Sequence, residues 1–111
     1  MADAEATAHA CCLVLTTMPD EAGAVALARA LVEAGRGACV QIDAVRSVYR
    51  WQGQVCDEPE WRLTIKAVAH EAPALMQFVR ERHPYEVPEL ICLPITAGEP
   101  AYLRWIAQSG G

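Results

Sequence analysis

Apolar side chains occupy both alternating faces of Cys11 to Thr17, the signature of a central strand covered on both sides rather than an edge strand. The run Thr17-Met18-Pro19-Asp20-Glu21 stops that strand and opens a helix, with a proline near its first turn and two acids at the positive end of the helix dipole. Ala24, Leu27, Ala28 and Leu31 then recur at helical spacing, with Arg29, Glu33 and Arg36 on the opposite side, and Gly35 and Gly37 end the helix. Ala38 to Ile42 reads as a second strand that continues from Val45 to Trp51, and Gln52-Gly53-Gln54 turns the chain back into Val55 and Cys56. From Glu60 to Ala69 the alternation is clean: Trp61, Leu63, Ile65 and Ala67 share one face, and Arg62, Thr64 and Lys66 the other.

Pro73 belongs in the first turn of a second helix with the stripe Leu75, Phe78 and Val79, and the His83-Pro84 step ends it because a residue before proline avoids helical angles. A final strand, Glu89 to Thr96, is apolar on both faces, and a short helix from Pro100 to Gln108 presents Leu103 and Ile106. The order is βαββαβ plus a C-terminal helix, an α+β chain of the ferredoxin-like class. Two right-handed crossovers place both main helices on one face of an antiparallel sheet. The other face is also apolar along Cys11 to Leu15 and Leu90 to Ile95, and such a face does not stay in water. Self-association follows, with Tyr49 and Trp51 on a protruding hairpin as its anchors.

The length, 111 residues, fits one core, so any elaborate site is shared between subunits. Residues 1–9, Ala-rich and without periodicity, read as a flexible tail, and 10–111 as a single domain. With 9 Lys+Arg against 14 Asp+Glu, the net charge of -5 argues against nucleic acid as a partner. No apolar run is long enough to cross a membrane and no secretion signal precedes the domain, which points to the cytoplasm. The 5 cysteines, an odd number with no C-x-x-C spacing, suit neither a disulfide framework nor a zinc ribbon. Cys11 and Cys12 are adjacent in a strand and point to opposite faces.

No nucleotide-binding glycine pattern, Walker loop, nucleophile elbow or H-E-x-x-H helix is present. Gly35-Arg36-Gly37 follows a helix instead of preceding one, so it caps rather than cradles a phosphate. His9 falls in the tail and His70 on the surface before the second helix. His83, held at a helix end beside Tyr85 and Glu86, reads first as a complement to the helix dipole and second as a candidate metal ligand. Glu58, Glu60, Glu86 and Glu89 are candidate oxygen ligands or bases, or a solvated acidic rim.

Four stretches then occur in order: Val14-Leu15-Thr16-Thr17-Met18-Pro19-Asp20-Glu21, Gly37-Ala38-Cys39-Val40, Ser47-Val48-Tyr49-Arg50-Trp51-Gln52-Gly53 and His83-Pro84-Tyr85-Glu86-Val87-Pro88-Glu89. From about Cys12 to Trp105 the chain resembles the CutA family of divalent-cation tolerance proteins. That resemblance implies a ferredoxin-like subunit in a tight homotrimer similar to the PII signal transducers, with Tyr49, Trp51 and Gly53 on a hairpin that reaches across an interface. It implies no catalytic activity, a role in the response to metal ions, and a cofactor that is copper or another divalent cation. His83 and Cys39 are the residues it offers as ligands. In the best-known bacterial pattern a cysteine stands where this chain has Thr16, and a histidine where it has Arg82. A hydroxyl and a cation there weaken a soft copper site. The alternative reading is a PII-like module that senses a small molecule or binds a partner and needs no metal.

Overall fold

A computed structural model describes residues 10–109, so the expectations for the tail and for His9 lie outside the described residues. The strands are β1 (Cys11–Met18), β2 (Cys39–Trp51), β3 (Gln54–Val68) and β4 (Leu90–Pro94), and the helices α1 (Glu21–Glu33), α2 (Ala72–Arg82) and α3 (Pro100–Ser109), with one 3-10 turn at Ala69–Glu71. The sheet order is β2-β3-β1-β4, antiparallel at each pairing, with β1 in the interior as its apolar pattern requires. This is the ferredoxin-like arrangement read from the sequence.

Each helix end has a local cause. The Asp20 carboxylate caps α1 by accepting from the Gly23 amide at 2.6 Å, which leaves Pro19 just before the helix rather than inside its first turn. At the other end Gly35, at φ 71°, donates to the Val32 carbonyl while Arg36 donates to Leu31, the paired bonds of a Schellman cap. Pro73 lies in the first turn of α2, and His83 leaves the helix with ψ 135°, the extended backbone that Pro84 demands.

Two boundaries differ from expectation. β3 is one strand running through Pro59, where a break was expected. β1 pairs with β3 only from Trp61 to Val68, so Pro59 has a single neighbouring strand and its missing N–H costs no second ladder. β4 is shorter than Glu89 to Thr96 because β1 offers it partners only from Cys12 to Thr16. Cys39 is half-buried at the start of β2.

Alternation along β1 divides the interior. Cys12, Val14 and Met18 face α1 and α2, where Leu31, Leu63, Ile65, Leu75 and Val79 are fully buried, each stabilising the fold by roughly 1.5–3 kcal/mol. Cys11 points the other way and packs against Leu103 and Ile106 of α3, its thiol 3.6 Å from the Leu103 carbonyl. Burial pushes the Cys12 thiol up to about 12 and raises that of Cys11. The rest of that second face carries the cross-strand pairs Leu13–Leu93 and Leu15–Ile91, with Ile91 48% and Leu93 41% exposed.

Beyond Ala44 and Trp61 the β2–β3 hairpin leaves β1 behind and projects as a two-stranded ribbon, which stretches the molecule to 50 × 25 × 22 Å. Gln52 (φ 50°) and Gly53 (φ 80°) close it in a two-residue turn with both central residues left-handed. Val48 and Val55 on the ribbon are 65% and 69% exposed.

Candidate functional site

The end of α2, the end of β1 and the root of the ribbon meet at one place. The Tyr85 amide donates to His83 Nδ1 at 3.1 Å, so the ring proton resides on Nε2, which lies 2.8 Å from the Thr17 carbonyl and donates to it. The Tyr85 ring lies 5.0 Å from the imidazole at an interplanar angle of 47°, and its hydroxyl donates to Glu60 Oε2 at 2.7 Å. Three elements are thus tied by three hydrogen bonds: β1 through the Thr17 carbonyl, β3 through Glu60, and the segment after α2 through His83 and Tyr85.

Burial holds the His83 imidazole below its ordinary value, and the Thr17 carbonyl and the Glu60 charge only partly offset this. The Tyr85 phenol is pushed well above its ordinary range, first by burial and then by its bond to Glu60, so it remains a donor. Glu60 itself is only 8% exposed. It is not part of a solvated rim: it faces inward between β3 and the loop after α2.

Over this network lies an open cleft of about 770 Å³ between the ribbon and residues 84–89. Thr17, Glu60 and Tyr85 form its floor, Tyr49 and Trp51 one wall, and Glu86, Val87 and Glu89 the other. Tyr49 donates to Glu58 at 3.0 Å, and chiefly that bond raises its phenol to about 12. Arg46 also lines the cleft but is engaged by Asp57 through two bonds of 2.7 and 2.8 Å, which hold the Asp57 carboxyl below the usual range.

The residues proposed from sequence are only partly brought together. His83 supports the cleft from behind, and Tyr49 and Trp51 line it. Cys39 is elsewhere: it pairs with Lys66, which faces Leu13 on β1, whereas His83 binds at Thr17, four residues along the same strand. Beside Cys39 stands Tyr102 of α3, whose phenol is raised mainly by burial and also by that thiol. Thr17, Tyr85 and Arg46 went unassigned in the sequence reading. Tyr85 lay in plain view within His83-Pro84-Tyr85, but nothing local to it points to Glu60 as its partner.

His83, Thr16 and Arg82 offer a divalent cation no open donor. Both His83 nitrogens are committed, Thr16 is fully buried on the helix side of β1, and Arg82 donates to the Phe78 carbonyl with its guanidinium 3.5 Å over the Phe78 ring. Among the described residues no three His, Cys, Asp or Glu side chains gather as metal ligands would.

The sequence pattern of the CutA1 divalent ion tolerance proteins matches residues 12–109. The chain belongs to the CutA1 family. The divalent-cation tolerance protein CutA of Thermus thermophilus is 43% identical over 100 residues, covering 89% of this chain and 97% of that protein. The mouse protein CutA is 44% identical over 93 residues, 83% of this chain, which spans only 52% of the mouse protein. CutA from Synechococcus elongatus has the same fold at a TM-score of 0.89, with 39% identity over 93% of this chain and 92% of that one. A CutA from Archaeoglobus fulgidus described as periplasmic superposes at a TM-score of 0.88 with 25% identity, over 91% of this chain and 99% of that one. No helix among the described residues is long and apolar enough to cross a membrane.

Proposed function

We propose that this CutA1 chain acts as a cytoplasmic, non-enzymatic homotrimer in the response to divalent cations, and that its working part is the cleft above Glu60 rather than a copper centre on His83 and Cys39. One observation carries the reading: the described hydrogen bonds of His83 brace the cleft and use both ring nitrogens. The imidazole is thereby a positioning group for Thr17 and Tyr85, in keeping with a PII-like module that binds a small molecule or partner without a resident metal.

Support for assembly comes from two surfaces. A two-stranded ribbon alone is marginal in water, and here it carries Val48, Tyr49, Trp51 and Val55 into solvent. The open sheet face with Leu13, Leu15, Ile91 and Leu93 is the second, and β4 is an unpaired edge beside it. A trimer that joins ribbons to neighbouring sheets covers both.

Native mass spectrometry of the reduced protein, with and without stoichiometric Cu(II), tests this in one experiment. A trimer is expected, with a copper content that His83→Ala leaves unchanged. A monomer overturns the assembly, and stoichiometric copper lost on His83→Ala restores the metal centre.

A further inference from the structure

We infer that the cleft is a binding site for a small organic cation, an ammonium or guanidinium group on a short apolar body, with the Glu60 carboxylate as its counter-charge and Tyr49, Trp51 and Tyr85 as its walls. The inference rests on the cleft being the working part of the protein and adds the chemistry of what enters it.

Charge carries the first step. Glu60 is more than nine-tenths buried, yet among the described residues its hydrogen-bond donor is the neutral Tyr85 hydroxyl and no lysine or arginine pairs with it. An anion withdrawn from water without a cation is costly unless the site meets one. Among the described residues Arg46 is the only basic one that lines the cleft, and Asp57 already holds it in a two-pronged pair. The lining therefore keeps the charge of Glu60, Glu86 and Glu89 uncompensated. An anionic or phosphate-bearing ligand is repelled there.

Shape and surface carry the second step. A bare metal ion would need oxygen, nitrogen or sulfur donors gathered around it, and among the described residues no such set of three exists. Instead the lining is aromatic, with Tyr49, Trp51 and Tyr85 around the carboxylate, and the faces of such rings attract an organic ammonium or guanidinium group. A volume of about 770 Å³ suits an organic molecule and not a lone ion. Tyr85 joins both requirements, because its hydroxyl fixes the carboxylate while its ring lines the cleft.

The test uses the full chain in its assembled state, titrated by calorimetry with hexylammonium, hexan-1-ol and hexyl sulfate. Hexylammonium is expected to bind saturably and at least about tenfold more tightly than the alcohol, with no binding of the sulfate. Glu60→Gln is expected to abolish that preference while native mass spectrometry shows an unchanged subunit count. Should Glu60→Gln fail to assemble, Glu86→Gln/Glu89→Gln decides, since both residues are exposed on the loop; the double variant must weaken the ammonium and leave the alcohol unaffected. Equal binding of ammonium and alcohol overturns the cation inference but leaves the cleft as a ligand site. Binding by none of the three probes overturns the inference and the cleft reading together. A wild type that ignores hexylammonium, with a Glu60→Gln variant of altered subunit count, also overturns it and assigns the counter-charge to a basic side chain of a second copy.

Discussion

Replacing Thr16 by valine exchanges a hydroxyl for a methyl at a fully buried site, and the expected result is a more stable protein. Thr16 lies opposite Leu63 on β3 and Leu90 on β4, on the side of β1 that faces the helices, and its Oγ1 has no hydrogen-bond partner among the described residues. A buried hydroxyl left unsatisfied costs about 1–3 kcal/mol, and the methyl that replaces it has the same shape and suits the surrounding leucines. With a urea slope of about 2 kcal/mol/M, the gain moves the unfolding midpoint up by roughly 0.5–1.5 M. Parent and variant must be compared at one subunit concentration, because assembly contributes to apparent stability. Thr16→Ser is the control: it keeps the hydroxyl, loses the methyl, and should lower stability by about 1 kcal/mol. A valine variant with an unchanged or lower midpoint refutes the reasoning, since it would mean that the hydroxyl is bonded and useful where it stands.

Tyr85→Phe removes the donor to a buried carboxylate and should destabilise by about 1.5–3 kcal/mol in urea unfolding, with much less effect in a Glu60→Gln background, a double-mutant cycle that isolates the bond. His83 gives a pH signature. Its folded value lies below its ordinary one of about 6.5, so the unfolded chain binds the proton first and stability, full above that value, falls as the pH drops through it towards the folded value. His83→Gln should remove this part of the acid slope in melting curves recorded from about pH 7.5 to 5. Trp51→Ala should lower the melting temperature of the assembly, and an identical melting curve would exclude Trp51 as an anchor. Gly53→Ala forces a left-handed conformation at φ 80° on a residue with a Cβ and should cost about 1 kcal/mol, read as a lower urea midpoint.

Periodicity and punctuation made most of the fold readable. Leu27, Ala28 and Leu31 marked the buried side of α1, Asp20 and Gly35 its ends, and Gln52-Gly53 the ribbon turn, because each signal is local. The continuity of β3 from Cys56 through Pro59 to Glu60 was not legible for an instructive reason. Whether a proline breaks a strand depends on which neighbours that strand has, and this is decided by where β1 ends. The same distinction governs the site. Tyr49, Trp51 and His83 were visible as residues, but the role of His83 is set by the Thr17 carbonyl, 66 positions away, and by the Tyr85 amide. Glu60 looked like surface charge because its alternation partners Arg62, Thr64 and Lys66 are polar. Its burial comes from Tyr85 folding over it, a contact between segments 25 positions apart.

The ribbon ties the existence of the cleft to protein concentration. Residues 45–60 hang from β3 and β2 without a third strand, so in a single chain they belong to the part that opens first, at a free-energy cost far below that of global unfolding. One wall of the cleft, with Tyr49 and Trp51, and Glu60 of its floor are built on that segment, while Thr17 lies on β1 in the interior of the sheet. On dilution of the proposed trimer below its dissociation constant, amide hydrogen exchange should therefore quicken in the ribbon while β1 stays protected, and the cleft should lose its wall in a molecule that is otherwise folded. In the proposed trimer, ligand occupancy and subunit association draw on the same ordering event, and each strengthens the other.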